Sequence, residues 1–183
     1  MKNRNELEVQ LKVELVKNIW DLIFSTGVLG LFKKGSKDTL IDSIQFDEDE
    51  FIGINSCEEY DEWHTHQVGY YHQKLIPLYK ENQKIDPQNP YTYTARIFNQ
   101  FLKLYLLQIV EADPFTYGKF FEYAHPIFSN KFLKALAIDM KSLTEFNKEL
   151  YKDYVGLYRL MTKDPLANEQ AYQTVALIEG IHI

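Results

Sequence analysis

Three dipeptides punctuate this chain: Asn89-Pro90, Asp113-Pro114 and Asp164-Pro165. Each joins a side chain that accepts a free N–H to a proline placed where no N–H partner is needed, which is how a helix begins. Two further starts read as capping boxes, Ser56 with Glu59 and Ser142 with Glu145. Gly180 stands where a last helix would stop. With the apolar spacing between these marks, they predict helices near 5–24, 57–82, 90–111, 114–124, 130–140, 143–161 and 165–179. Gly27, Gly30, Gly35 and Gly53 divide 25–55 into short irregular elements.

One segment reads two ways. Leu7, Val9, Leu11, Val13 and Leu15 alternate as a strand would. The intervening Glu, Gln and Lys favour helix, and the apolar pattern runs on through Val16, Ile19, Trp20 and Ile23 without a turn residue. Helix is the reading adopted. The most hydrophobic segment is 90–111, where Ile97, Phe98, Phe101, Leu102, Leu106 and Val110 lie nearly all round the axis. Such a helix belongs at a centre. The expected fold is therefore all-α: a single helical domain over 1–183, six or seven helices in an irregular orthogonal assembly around the buried 90–111 helix. Unequal helix lengths and interrupting prolines argue against a regular four-helix bundle.

A chain of 183 residues can bury a core without covalent staples. Its lone Cys57 excludes an internal disulfide and a cysteine-based zinc site. The charged start Met1-Lys2-Asn3-Arg4-Asn5-Glu6 does not read as a signal peptide, and the longest apolar run, Ile19 to Phe32, is too short to span a bilayer. A cytoplasmic setting, with no membrane contact, is expected.

The formal charge of −6 is unevenly spread. Ten of the 26 acids fall between Asp38 and Trp63, where there is no Lys or Arg; elsewhere 16 acids face 20 Lys and Arg. The run Asp47-Glu48-Asp49-Glu50 reads by default as a solvated loop, and in its sharper form as a docking surface for a basic partner. It lacks the alternating ligands and central glycine of a calcium loop. Three of the five histidines follow at once: His64, His66 and His72. On a helix over 57–82, His64 shares a face with Tyr60, Trp63, Val68, Tyr71, Leu75 and Leu78. Glu59, Glu62 and His66 take the opposite, wet face, and His72 falls between. The three cannot converge on one ion. For His64 the default is a buried ring satisfied by one hydrogen bond; the alternative is an acid, base or ligand in a pocket.

On the apolar 90–111 helix, Arg96, Asn99 and Lys103 form a line at i, i+3 and i+7. They read either as a solvent-facing strip with snorkelling cations or as an anion-binding floor. Trp63-His64, Arg96-x-x-Asn99-x-x-x-Lys103 and His125-Pro126 together resemble a loose group of small helical proteins of bacteria and mobile elements, over about residues 60–136. The pattern departs after Pro126, where Ile127-Phe128-Ser129-Asn130 replaces an acidic position. The resemblance transfers no activity. It implies that His64, Arg96, Asn99, Lys103 and His125 meet in space.

A metal reading rests on two carboxylate-x-x-His pairs, Asp61 with His64 and Glu122 with His125, joined by Glu14 and Glu111. Pro126 and the helix-end position of Glu111 weigh against it. No Gly-rich phosphate loop, nucleophile elbow, kinase or zincin signature occurs. The thirteen tyrosines and twelve phenylalanines could stack bases, but at helical spacing they fill a core.

The leading expectation is a small regulatory or protein-interaction protein, without cofactor, that presents Asp47, Glu48, Asp49, Glu50, Glu58, Glu59 and Glu62 to a basic protein partner. The alternative is a phosphate-bearing ligand or nucleic acid held by Arg96, Asn99 and Lys103, with His64 or His125 as catalytic proton carrier. The third reading is a carboxylate-bridged di-metal protein using Asp61, His64, Glu122 and His125.

Overall fold

The alternating segment at the N-terminal end winds into helix α1, Arg4–Ser25. Of its alternating members Leu11 and Val13 are exposed and Leu15 is half-buried, while Ile19, Trp20, Ile23 and Phe24, spaced for a helix, are buried. The computed structural model of the chain describes residues 4–25, 28–43, 46–83, 85–110, 113–128, 133 and 146–161. The helices expected over 130–140 and 165–179, with the Ser142 and Asp164 starts, lie outside the described residues. Those described form an all-α fold, with one isolated bridge between Phe32 and Tyr79 as their only β pairing.

After α1 come a 3-10 turn Val28–Leu31 and the short helices α2, Ser36–Ser43, and α3, Glu48–Ile52. Helix α4 runs Cys57–Leu75. Ser56 Oγ accepts from Glu59 N at 3.1 Å, while the Glu59 carboxylate reaches one residue further back than a standard box, to Asn55 N at 2.7 Å. The helix stops seven residues before the expected position 82. Pro77 sits in a closing 3-10 turn, Ile76–Leu78. Beyond it the backbone extends to pair with the segment after Leu31, through Lys33 N to Leu78 O at 2.8 Å and Lys80 N to Leu31 O at 2.9 Å.

Helix α5, Thr94–Ile109, lies between α1 and α4. Trp20 of α1 stacks on Phe101 with centroids 4.8 Å apart, and Phe98 meets Trp63 and Tyr71 of α4 at 5.7 and 5.0 Å. Each such buried aromatic contributes about 1.5–3 kcal/mol relative to exposure. The helix starts four residues later than Asn89-Pro90 suggested. Asn89 Oδ1 does cap a turn, accepting from Tyr91 N at 3.1 Å, but the regular helix waits for Thr94. His72 fixes that point: its Nε2–H donates to Asp86 O at 3.1 Å, and its Nδ1 accepts from Thr94 Oγ1 at 2.8 Å.

The segment expected as one helix over 114–124 is two single turns, α6 (Pro114–Tyr117) and α7 (Phe120–Tyr123). Asp113 caps the first by accepting from Thr116 N at 3.0 Å. Helix α8, Lys148–Met161, is capped by Asn147, whose Oδ1 accepts from Leu150 N at 2.9 Å. Its start is therefore later than the expected 143. Tyr151, Val155 and Tyr158 form its buried stripe.

Candidate functional site: a buried relay and an acidic cleft

Four separate segments bring polar side chains to one place in the core. Helix α4 supplies Asp61 and His64, α5 supplies Asn99, the extended residues after α7 supply His125, and α8 supplies Tyr151 and Arg159. His64, Asn99, His125 and Tyr151 are all buried, while the Asp61 side chain is 35% exposed and forms the rim.

The hydrogen atoms can be assigned from that rim inward. Asp61 carries its charge and only accepts, so His125 donates Nε2–H to Asp61 Oδ1 at 2.7 Å. His125 Nδ1 is then an acceptor and takes the hydroxyl hydrogen of Tyr151 at 3.1 Å. Tyr151 oxygen accepts from Asn99 Nδ2 at 2.8 Å, and the same amide nitrogen donates to Pro126 O at 2.9 Å. Asn99 Oδ1 is left to accept Nε2–H of His64 at 2.6 Å. Every link donates in the same direction, and such chains strengthen cooperatively. The chain ends on His64 Nδ1, a buried lone pair with no hydrogen-bond partner among the described residues.

Burial pushes His64 well below the ordinary histidine value; the nearby His125 adds to the shift, and the Asn99 bond opposes it. Burial also lowers His125, against the pull of Asp61. Burial raises Tyr151 well above the ordinary phenol value. For Asp61, burial opposes the charge, but the bonds from His125 and Arg159 outweigh it and hold the carboxyl well below the usual carboxylate range. Arg159 grips Asp61 with two bonds, at 3.0 and 2.8 Å, and also donates to Tyr123 O. The interior of the relay is thus neutral and its ion pair sits at the edge. Asp61, His125 and Tyr151 have the connectivity of an acid–base–nucleophile relay, but this phenol is held protonated and shut away from solvent.

A second feature lies between α1, α3 and α4. A cleft of about 590 Å³ is lined by Lys12, Phe46, Asp47, Glu48, Asp49, His66, Gln67 and Tyr70. None of these belongs to the relay. The acid run expected as a solvated loop is partly a built wall. Asp47 caps α3 through Glu50 N at 3.1 Å. Glu48 accepts from the hydroxyls of Tyr105 and Tyr117 and pairs with Lys12. Burial opposes its charge, but those bonds lower its pKa. Glu50 accepts from Gln67 Nε2 at 3.1 Å. Asp49 is exposed, as are Glu58, Glu59, Glu62 and His66 on the outer side of α4.

No family model, curated protein or solved structure matches the chain.

Of the residues that the sequence pattern singled out, His64, Asn99 and His125 meet in the relay. Arg96 is exposed, and Lys103 is buried one turn beyond Asn99. The amide of Asn99 is occupied on both its atoms by protein groups, so the line Arg96, Asn99, Lys103 does not present one continuous floor. Among the described residues no group of three or more His, Cys, Asp and Glu is placed to hold a metal ion. Asp61 is engaged by Arg159 and His125, Glu122 is exposed, and Asp61, His64, Glu122 and His125 do not form a ligand set. No described helix is long and apolar enough to cross a membrane. Sequence reasoning missed Tyr151, Arg159, Tyr105 and Tyr117. Tyr151 stands on the apolar stripe of its helix and reads there as core filler; only its three-dimensional neighbours give its hydroxyl a role.

Proposed function

We propose that this chain is a small interaction protein that receives a basic segment of a protein partner in the cleft between α1, α3 and α4. One observation carries the reading: Asp47, Glu48 and Asp49 of the acid run meet His66, Gln67 and the exposed ring of Tyr70 of α4 around a concave surface that also holds Phe46 and Lys12. Carboxylates on such walls attract Lys or Arg side chains, while the aromatic rings take their aliphatic stems and cationic heads. Glu62 stands one helical turn before His66, so the acidic face continues along α4 from the mouth of the cleft.

The structural duties of Asp47, Glu48 and Glu50 decide which substitutions test this. Reversing all four acids of the run would damage α3 and confound binding with folding. Asp49→Lys with Glu62→Lys changes exposed charges only. With a synthetic lysine-rich peptide as probe, calorimetric titration at low salt should show binding to the parent chain. The double variant should weaken that binding at least about tenfold, since it replaces two attractive charges by two repulsive ones. Equal binding by both proteins, with both folded by circular dichroism, sinks the reading.

A further inference from the structure

The relay ends on a buried nitrogen with no hydrogen-bond partner among the described residues, and one wall of the ring that carries it is a residue of the last described helix. Tyr151 of α8 stacks on His64 with ring planes 9° apart and centroids 5.9 Å apart. The other walls are Tyr60 on the same helix at 6.1 Å, Phe98 of α5 at 5.6 Å and His125 at 4.1 Å. We propose that His64 is a proton-operated latch for α8: a proton taken from solvent at Nδ1 displaces Tyr151 and frees α8 from the α4–α5 core.

A charged His64 would carry a second N–H pointing at no acceptor in a dry site. It would stand beside the neutral ring of His125, which is itself held by Asp61. The charged groups that act on it are Asp61 and Arg159 at the rim, and these already neutralise each other; Lys152 of α8 acts on His125 with the sign of Arg159. The phenols that face the relay, Tyr60, Tyr151 and Tyr91, stay neutral. So, among the described residues, the closed state offers the imidazolium no counter-charge of its own, and it must gain water.

Three of the walls cannot give way locally. Tyr60 is part of α4, Phe98 is locked between Trp63, Tyr71 and Phe101, and His125 is tied to Asp61. Helix α8 is held at this place by side chains: the stripe Tyr151, Val155 and Tyr158, with Tyr151 also against Tyr91, Phe128 and Phe146, Tyr154 against Phe128 and Phe146, and the partly exposed Arg159, which bonds Asp61 and Tyr123 O. Lifting Tyr151 hydrates His64 Nδ1 and breaks the relay at a single residue. This device is separate from the acidic cleft, whose lining residues are not part of it.

Hydrogen exchange on the full chain tests it, with each amide rate divided by its intrinsic rate at that pH. One proton taken up by a histidine of ordinary value 6.5 in the open state raises the opening constant about tenfold between pH 7.5 and pH 5.5. Protection over 148–161 should fall by that factor while α4 and α5 keep theirs. His64→Gln should lose the fall, because Gln Nε2 still donates to Asn99 but does not titrate. No fall over α8, an equal fall in all three helices, or a fall that persists in His64→Gln overturns the proposal. Should the variant not fold, the ring nitrogen shifts of His64 in the parent chain decide: charging must coincide with α8 opening. A ring that charges while α8 stays protected, or stays neutral while α8 opens, overturns it.

Discussion

Asn99 is the residue on which the relay turns, because it bonds three different segments at once: α4, the residues after α7, and α8. Asn99→Ala takes the partner from His64 Nε2–H and from Pro126 O and removes the donor to Tyr151 oxygen, whose hydroxyl keeps only its bond to His125, in a dry core. At about 1–3 kcal/mol for each unsatisfied group, with some relaxation, the expected loss is about 3 kcal/mol, measured by urea unfolding. Asn99→Asp should lose more, since it turns a donor into a charged acceptor aimed at a carbonyl. The titrating members set a pH profile. His64 and His125 have folded values below the ordinary 6.5, so their neutral forms are favoured by the fold. Their contribution is complete above that value and is lost as pH falls from there toward the folded values. Asp61 is lowered from 3.8, so its contribution is complete above the carboxylate range and is lost as pH falls below it. Unfolding free energy should be flat above about pH 7.5, decline by up to about 1.4 kcal/mol per pH unit for each linked proton below about 6.5, and steepen again below about 4. A profile that is level from pH 8 to pH 5 contradicts the neutral-histidine relay. The inward direction of His64 was legible in the apolar spacing of α4. Its partners were not, because Arg159 lies 98 residues from Asp61 and nothing local marks the two as a pair.

Elements obey the same division between local and distant causes. Ser56, Asp113 and the helical propensity of 7–15 act within a few residues, and the starts of α4 and α6 and the identity of α1 follow from them. The later course does not: beyond the Pro77 turn that closes α4, Phe32 claims Tyr79 for a bridge, and α5 waits for the threonine that His72 holds. Two glycines separate the causes experimentally. In α8, a methyl group added at Gly156 meets nothing within 4 Å. Gly156→Ala should stabilise the protein by about 0.5–1 kcal/mol through the lower backbone entropy of the unfolded chain. At Gly118 the same methyl group would lie 2.5 Å from the carbonyl oxygen of Pro114. Gly118→Ala should destabilise by about 1–3 kcal/mol, since a backbone atom has to move. Thermal unfolding of the two variants should therefore shift in opposite directions. A rise for Gly118→Ala would mean that the turn between α6 and α7 relaxes freely, and that its break into two single turns has another origin.

At the scale of the whole molecule the decisive property is the segregation of charge, with ten of 26 acids in residues 38–63 and a net −6 overall. Composition made that much legible, but it could not say which acids are spent on the fold. Glu48 is the clearest case. Its carboxylate is taken up by two tyrosine hydroxyls and Lys12, so it adds little to the outward field. Glu48→Gln should lower stability by about 1–2 kcal/mol, through weaker bonds to the tyrosines, and, by leaving Lys12 unpaired in the cleft, should slow encounter with a basic partner, though less than the reversal of two exposed acids. Asp49 and Glu62 should behave in the opposite way, with small effects on stability and large effects on encounter. Field-driven association depends on screening: the Debye length shrinks from about 30 Å at 0.01 M salt to about 8 Å at 0.15 M. Stopped-flow association of a lysine-rich peptide should accordingly slow about tenfold over that range for the parent chain. In Asp49→Lys with Glu62→Lys the slope should flatten. An association rate indifferent to salt in the parent chain would mean that the acidic face does not steer partners, and that its residual role is to hold α3 against Tyr105 and Tyr117.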